Sequence, residues 1–216
     1  SRLPDEIVVV DDGSTDGTPD LVAQGFPCVR LLKNTGVGPV VARNIGFKTT
    51  RSSMIAFLDA DDVWHSEHLR MLEEALDKNA SANTVFADAD CFSGKDPSYN
   101  ITSQTVSSFD PWSRYPFTVG VYGPSLALCR RDALMEIGLW DERAKGISDT
   151  LVFLQLASLN SLLHLSCRSV GKRIHDRQLW VTLRADRLTY INLRYSTMKI
   201  ALEFFKERNA TDHRYA

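Results

Sequence analysis

Two stretches decide the fold of this chain: EIVVVDDGSTDGT at residues 6–18 and MIAFLDADDVW at residues 54–64. In each, an apolar run ends abruptly in carboxylates. A continuous apolar run suits a strand buried on both faces of a parallel sheet better than an alternating edge strand. The Gly, Ser, Thr and Asp that follow the first run are turn and helix-start residues, with Asp16 or Thr18 placed to open a short helix over PDLVAQGF.

Working outward, VRLLKN reads as a second strand and GPVVARNIGFKTT as a helix with Val41, Ile45 and Lys48 on one face. MIAFLDA is the third strand. HSEHLRMLEEALDKN is an amphipathic helix with Leu69, Leu72 and Leu76 inward and Ser66 as its N-cap, and TVFADADCF is a fourth strand. This alternation predicts an α/β fold with a mainly parallel sheet flanked by helices. From Ser93 to about Phe117, polar and aromatic residues mix without period, which predicts a long, partly irregular excursion. SLALCRRDALMEIG then reads as strand into helix, SDTLVFLQLASLN as an apolar helix and LLHLSCRSVGKRIH as a strand. Leu188, Ile191, Tyr195, Met198, Leu202 and Phe205 recur every three or four residues, marking a last amphipathic helix. The expected organisation is one domain over 1–180, with a nucleotide-binding half at 1–92 and an acceptor-side half at 93–180. A helical segment at 181–216 follows.

The 216 residues carry a formal charge of −2, with acids and bases mixed along the chain, so no partner recognised through bulk charge, such as nucleic acid, is expected. No apolar run approaches the ~18–20 residues that span a bilayer. Cys28, Cys91, Cys129 and Cys167 form no CxxC pair, which points away from zinc and from a disulfide framework. The default compartment is cytoplasmic, with peripheral attachment to a membrane and the oligomeric state left open.

In open α/β sheets, ligands bind beyond the carboxyl ends of the parallel strands. Asp11 and Asp12 end one such strand, and Asp59 and Asp61 end another. As neighbours these strands would bring four carboxylates to one crevice, where a hard cation, Mg²⁺ or Mn²⁺, would relieve their repulsion and bridge to a diphosphate. Asp–Gly–Ser after a strand is also ordinary turn chemistry, so Asp11 alone reads first as structure. Asp62 reads as solvent-facing or as a cap before Trp64. The second DxD, Asp88–Asp90, reads as a decoy.

VVVDDGSTDGT, NTGVGPVVARNIGF and IAFLDADDVW, in that order and spacing, resemble the family 2 inverting glycosyltransferases of GT-A fold. LALCRRDALMEIGLWDE and GISDTLVFLQLA resemble the second half of that domain, and the resemblance spans residues 6–160. It implies a sugar moved from a nucleotide sugar, a UDP-sugar first among them, to a saccharide, lipid-linked or protein hydroxyl, as in polysaccharide biosynthesis. It also implies that Asp12, with Asp11 beside it, contacts the nucleotide base, Asp59 the ribose, and Arg43 the nucleotide pocket. Asp61 would hold the metal, and Asp149 would be the general base. His175, in KRIHD, is a candidate metal or diphosphate contact, and Arg173 shares that reading.

The family domain normally opens with a strand ending in a Pro-x-Tyr-Asn-like turn, which does not precede SRLPDE here. The usual acidic pair at the base position is Ser148–Asp149. Asp149 at a helix start is equally a routine N-cap. Trp112, Tyr115 and Trp140 read as packing before sugar contact. A catalytically silent binding scaffold of the same fold, and a sugar-nucleotide nucleotidyltransferase, stand as alternatives.

Overall fold

The computed structural model describes residues 2–93, 97, 99–109, 123–144, 148–159, 161–176 and 186–211. Trp112 and Tyr115 lie outside them. The elements run β1 (Val8–Asp11), α1 (Thr18–Gly25), β2 (Arg30–Lys33), α2 (Pro39–Thr49), β3 (Met54–Ala56), β4 (Val63–Trp64) and α3 (His68–Asp77). They continue with β5 (Ala82–Phe92), β6 (Asn100–Phe109), β7 (Ala127–Arg130), α4 (Arg131–Glu136), α5 (Ser148–Leu159), β8 (Ser161–Arg173) and α6 (Arg187–Thr211).

The α/β class holds, but the pairing is mixed rather than mainly parallel. β1 and β2 pair in parallel as a two-stranded sheet. In the six-stranded sheet, ordered β3-β7-β5-β8-β4, only β5 and β8 run parallel. β6 pairs antiparallel with β8 inside the segment expected to be irregular. Its Thr- and Ser-rich sequence lacks the apolar alternation that marks a half-buried strand, which is why pattern alone passes it over. β1 and β3 belong to different sheets, so the two acid clusters do not meet as ends of paired strands. β1 is half-buried along Val8, Val9 and Val10 rather than enclosed on both faces.

The core follows the two-residue period of the strands. Phe86, Ala127, Cys129, Leu162 and Val170 face one layer, packed with Val40 and Phe47 of α2, Leu134 of α4 and Val152 and Leu156 of α5. Val85, Ala87, Leu128, Leu163, Leu165 and Cys167 face the other, covered by Met71, Leu72 and Leu76 of α3. A mixed sheet between helical layers results.

Three helix registers differ from expectation. α2 buries Val40, Asn44 and Phe47, one residue before the predicted face, because the Asn44 side chain makes a reciprocal pair of hydrogen bonds with the Trp140 backbone. α3 begins behind Glu67 with no side-chain cap; His65 Nδ1 accepts the Glu67 amide in the place expected of Ser66. α6 docks through Thr197, Ile200 and Ala201, joined by Phe205, and leaves Leu188, Ile191, Tyr195, Met198 and Leu202 of the predicted stripe exposed.

Candidate active site

The acids gather through α2 and through the link from β3 to β4. Asp12 takes hydrogen bonds from Asn34 Nδ2 at 3.0 Å and from the amides of Val37 and Gly38 at 3.0 and 2.7 Å. Its carboxylate thus fixes the loop that enters α2. Asp11 is buried, with Oδ1 accepting the Ser14 amide at 3.3 Å. Gly13 has φ +90°, and a Cβ there would lie 3.3 Å from the Gly36 backbone, so the turn after β1 and the loop before α2 close on each other as glycine permits.

α2 carries Arg43 from this loop into the second cluster. Arg43 Nη2 donates to Asp59 Oδ1 at 2.7 Å and Nη1 to Asp149 Oδ1 at 3.0 Å. One guanidinium therefore bridges two acids lying 90 residues apart in sequence. A planar fork with donors on both arms suits this role, which a lysine ammonium does not reproduce. The Asp59 amide donates to Ser125 Oγ at 3.0 Å, and Trp64 Nε1 donates to the Ser125 carbonyl at 2.6 Å. Ser125, fully buried just before β7, positions both ends of the β3–β4 link, and no sequence signal marks it.

Asp61 and Asp62 are adjacent and have opposite fates. Asp62 is buried, its side chain 1% exposed, and pairs with Lys172 Nζ at 2.8 Å. That replaces the expectation of a solvent-facing or capping residue: the lysine from β8 makes burial of the charge tolerable. Asp61 stays half-buried, with Oδ2 at 3.1 Å from His175 Nε2. The two contacts tie the acid turn to the end of β8, where Lys172 and His175 lie. Arg173 stacks its guanidinium over Phe92 at 4.5 Å. Asp88 pairs with His164 across β5 and β8 at 2.9 Å.

Asp149 sits in the first turn of α5, but its carboxylate does not bond the amides of that turn. Oδ1 accepts from Arg43 and from Trp140 Nε1 at 3.0 Å, and the side chain stays 30% exposed. Burial is the largest influence on this group and raises it above the ordinary carboxylate range. Arg43 and the Trp140 N–H oppose the rise, and the Asp59 charge adds to it. Trp140 is 2% exposed, with its ring edge-on to Phe57 at 4.5 Å. It is neither a sugar platform nor packing alone. The end of α4 delivers it: Leu139 N donates to Leu134 O and Gly138 N to Met135 O, with Gly138 at φ 81° and Leu139 at φ 69°, both left-handed. The sequence WDE gives no sign that the indole N–H holds a carboxylate nine residues later.

Residues 1–138 match the family model "Glycosyl transferase family 2". The chain belongs to glycosyl transferase family 2. The uncharacterized glycosyltransferase YibD of Escherichia coli is 34% identical over 87 residues, covering 38% of this chain and 25% of its own length. ExoO of Rhizobium meliloti, a succinoglycan biosynthesis protein, is 46% identical over 74 residues, covering 33% of this chain and 21% of its own. The chain thus spans about a quarter or less of the length of these relatives. S. aureus TarS 1-349 in complex with UDP superposes with a TM-score of 0.64 at 19% identity, over 93% of this chain and 61% of that one. The complex of the same protein with UDP-GlcNAc gives 0.63 over 81% of this chain and 51% of that one. At this identity the likeness establishes the GT-A fold.

Proposed function

We propose that this glycosyltransferase moves a sugar from a UDP-sugar to an acceptor hydroxyl by a single displacement that inverts the anomeric carbon, with Asp149 as general base. The observation that carries this reading is the Asp149–Arg43–Asp59 bridge. It joins a carboxylate raised above its ordinary range to the acid cluster assigned to the donor. An acceptor hydroxyl is too weak an acid to attack at neutral pH without a base, and a half-buried carboxylate of raised pKa is suited to take its proton. Oδ1 is held by Trp140 and Arg43, which leaves Oδ2 for that proton. As the acceptor oxygen bonds to the anomeric carbon, the bond to the diphosphate oxygen breaks and the nucleoside diphosphate leaves.

Asp11 and Asp12 are assigned to the nucleoside end and Asp59 to the ribose, with Arg43 setting the distance between donor and base. UDP as the nucleotide is supported by the complexes of TarS, and a polysaccharide-type acceptor by the name of ExoO.

Asp61 and His175 offer a carboxylate and an imidazole side by side; the carboxylate suits Mn²⁺ or Mg²⁺, and the imidazole suits the softer Mn²⁺ better than Mg²⁺, which takes oxygen ligands. Among the described residues no group of three or more His, Cys, Asp or Glu is arranged to hold a metal, so the donor's phosphates would complete the coordination. Bound there, the cation would stabilise the charge that develops on the leaving diphosphate.

Calorimetry with UDP, with and without Mn²⁺, tests the assignment together with transfer assays. Wild type should bind UDP in a Mn²⁺-dependent manner, Asp61→Ala should lose that dependence, and Asp149→Asn should bind normally while losing transfer. Equal, metal-independent binding by wild type and Asp61→Ala would remove the metal from the reading. Full transfer by Asp149→Asn would remove the base.

A further inference from the structure

α6 is apolar on two faces. One closes on the domain: Ile200 and Ala201 pack with Ala144 and with Leu151 of α5, and Phe205 joins them. The other covers nothing among the described residues. Along it Leu188 is 74% exposed, Ile191 50%, Tyr195 63%, Met198 39% and Leu202 53%. Their spacing of three and four residues puts them on one stripe, about 21 Å long at the rise of an α-helix. A single exposed leucine is ordinary, but an aligned row of five large apolar side chains marks an interaction surface.

The charges beside the stripe say what kind of surface it meets. Residues 187–208 hold five basic and two acidic side chains. Lys199 lies beside the stripe with Nζ 4.6 Å over the Tyr195 ring, and Lys206 is exposed about two turns further on. Arg194 flanks the other side, its guanidinium 5.6 Å over Tyr190. Glu203, the acid near the row, is paired with Arg143 at 3.1 Å.

We propose that this face of α6 docks the protein on an anionic lipid bilayer. The helix axis lies in the plane of the interface, the apolar row enters the headgroup–acyl boundary, and Arg194, Lys199 and Lys206 meet lipid phosphates. Lysine and tyrosine suit this depth, since each pairs an apolar body with a polar tip. The helix lies on the membrane rather than crossing it: among the described residues no helix is long and apolar enough to span one.

A second copy of the chain is the competing occupant, because three–four spacing also makes a two-helix seam. Charge decides against it. Taking the stripe as the seam, Arg194 and Lys199 occupy the flanking positions that face each other across a parallel pair, and like charges would oppose there. The lipid proposal is independent of the donor and base assignments, so either can fail alone.

Sedimentation with sucrose-loaded vesicles tests it, using phosphatidylcholine alone and an equimolar mixture with phosphatidylglycerol. Wild type should sediment with the anionic vesicles, and raised salt should release it by screening. Ile191→Glu/Met198→Glu and Lys199→Glu/Lys206→Glu should each weaken binding by roughly tenfold or more, from the lost apolar insertion and the reversed charges. Both pairs lie off the α5 interface. If the first unfolds, the second, at exposed positions, carries the test alone. Wild type left in the supernatant would overturn the proposal, as would a folded apolar variant that binds like wild type. A wild-type dimer in analytical ultracentrifugation that ignores vesicles and is split by Ile191→Glu/Met198→Glu would give the face to a second copy instead.

Discussion

Replacing Arg43 by Met removes the cation between two carboxylates while keeping most of the side-chain volume. Arg43 is 14% exposed, and Asp59 and Asp149 are 28% and 30% exposed, so the cluster is neither dry nor freely solvated. Breaking a fully buried pair costs about 3–5 kcal/mol, and a hydrogen bond to a charged group contributes about 1.5–3 kcal/mol. Two such bonds, discounted for partial exposure, give an expected loss of about 2–4 kcal/mol near pH 8. The sign of the pH dependence follows from linkage. Arg43 favours the ionised form of Asp149, so its removal raises that carboxyl further. The stability difference between wild type and variant is fully present above the raised value and shrinks as pH falls through it, because protonated Asp149 no longer needs the cation. Urea unfolding at pH 8 and pH 5 measures this, and the acid limb of kcat/KM for transfer should move upward by the same shift. An equal stability loss at both pH values, or an unmoved limb in an active variant, would refute the electrostatic account of the bridge.

Trp140→Phe keeps an aromatic ring against Phe57 but deletes the N–H bound to Asp149. The acid limb should rise and transfer should fall, with UDP binding by calorimetry unchanged. Lys172→Met strands the buried Asp62 carboxylate and should cost about 3–5 kcal/mol in urea unfolding, most of it recovered by adding Asp62→Asn. His68 is buried with Nδ1 at 2.8 Å from Ser169 Oγ, and burial pushes its pKa down to about 3. The unfolded chain therefore binds a proton that the native state refuses. His68 should make stability fall by about 1.4 kcal/mol per pH unit below its ordinary value near 6.5, and a folded His68→Gln variant should lose that slope.

The local signals survive folding well. The apolar runs that end in Asp11 and Asp59 become strand ends or their turns, and α1, α2, α3, α5 and α6 form where periodicity placed them. The candidate acids were legible because Asp at the end of an apolar run is conspicuous in one dimension. Their partners were not. Arg43 reaches Asp149 across 106 residues, Lys172 reaches Asp62 across 110 and His175 reaches Asp61 across 114. No pattern within a window of ten or twenty residues carries such a pairing. The docking faces of α2 and α6 were not legible for a related reason. Periodicity finds an apolar face, but a buried Asn44 that bonds Trp140, and a helix with two apolar faces, are settled by what packs beside them.

The sequence by itself determined where chain segments become strands and helices, and which acids stand at their ends, because hydrophobic period and turn chemistry act over a few residues. Tertiary structure alone decided that Asp62 is buried while Asp61 faces His175, that Trp140 holds Asp149, and that a stripe of α6 is left outside. Those outcomes depend on distances between residues far apart in the chain. Burial, charge pairing and hydrogen-bond geometry set such distances only once the whole core has closed.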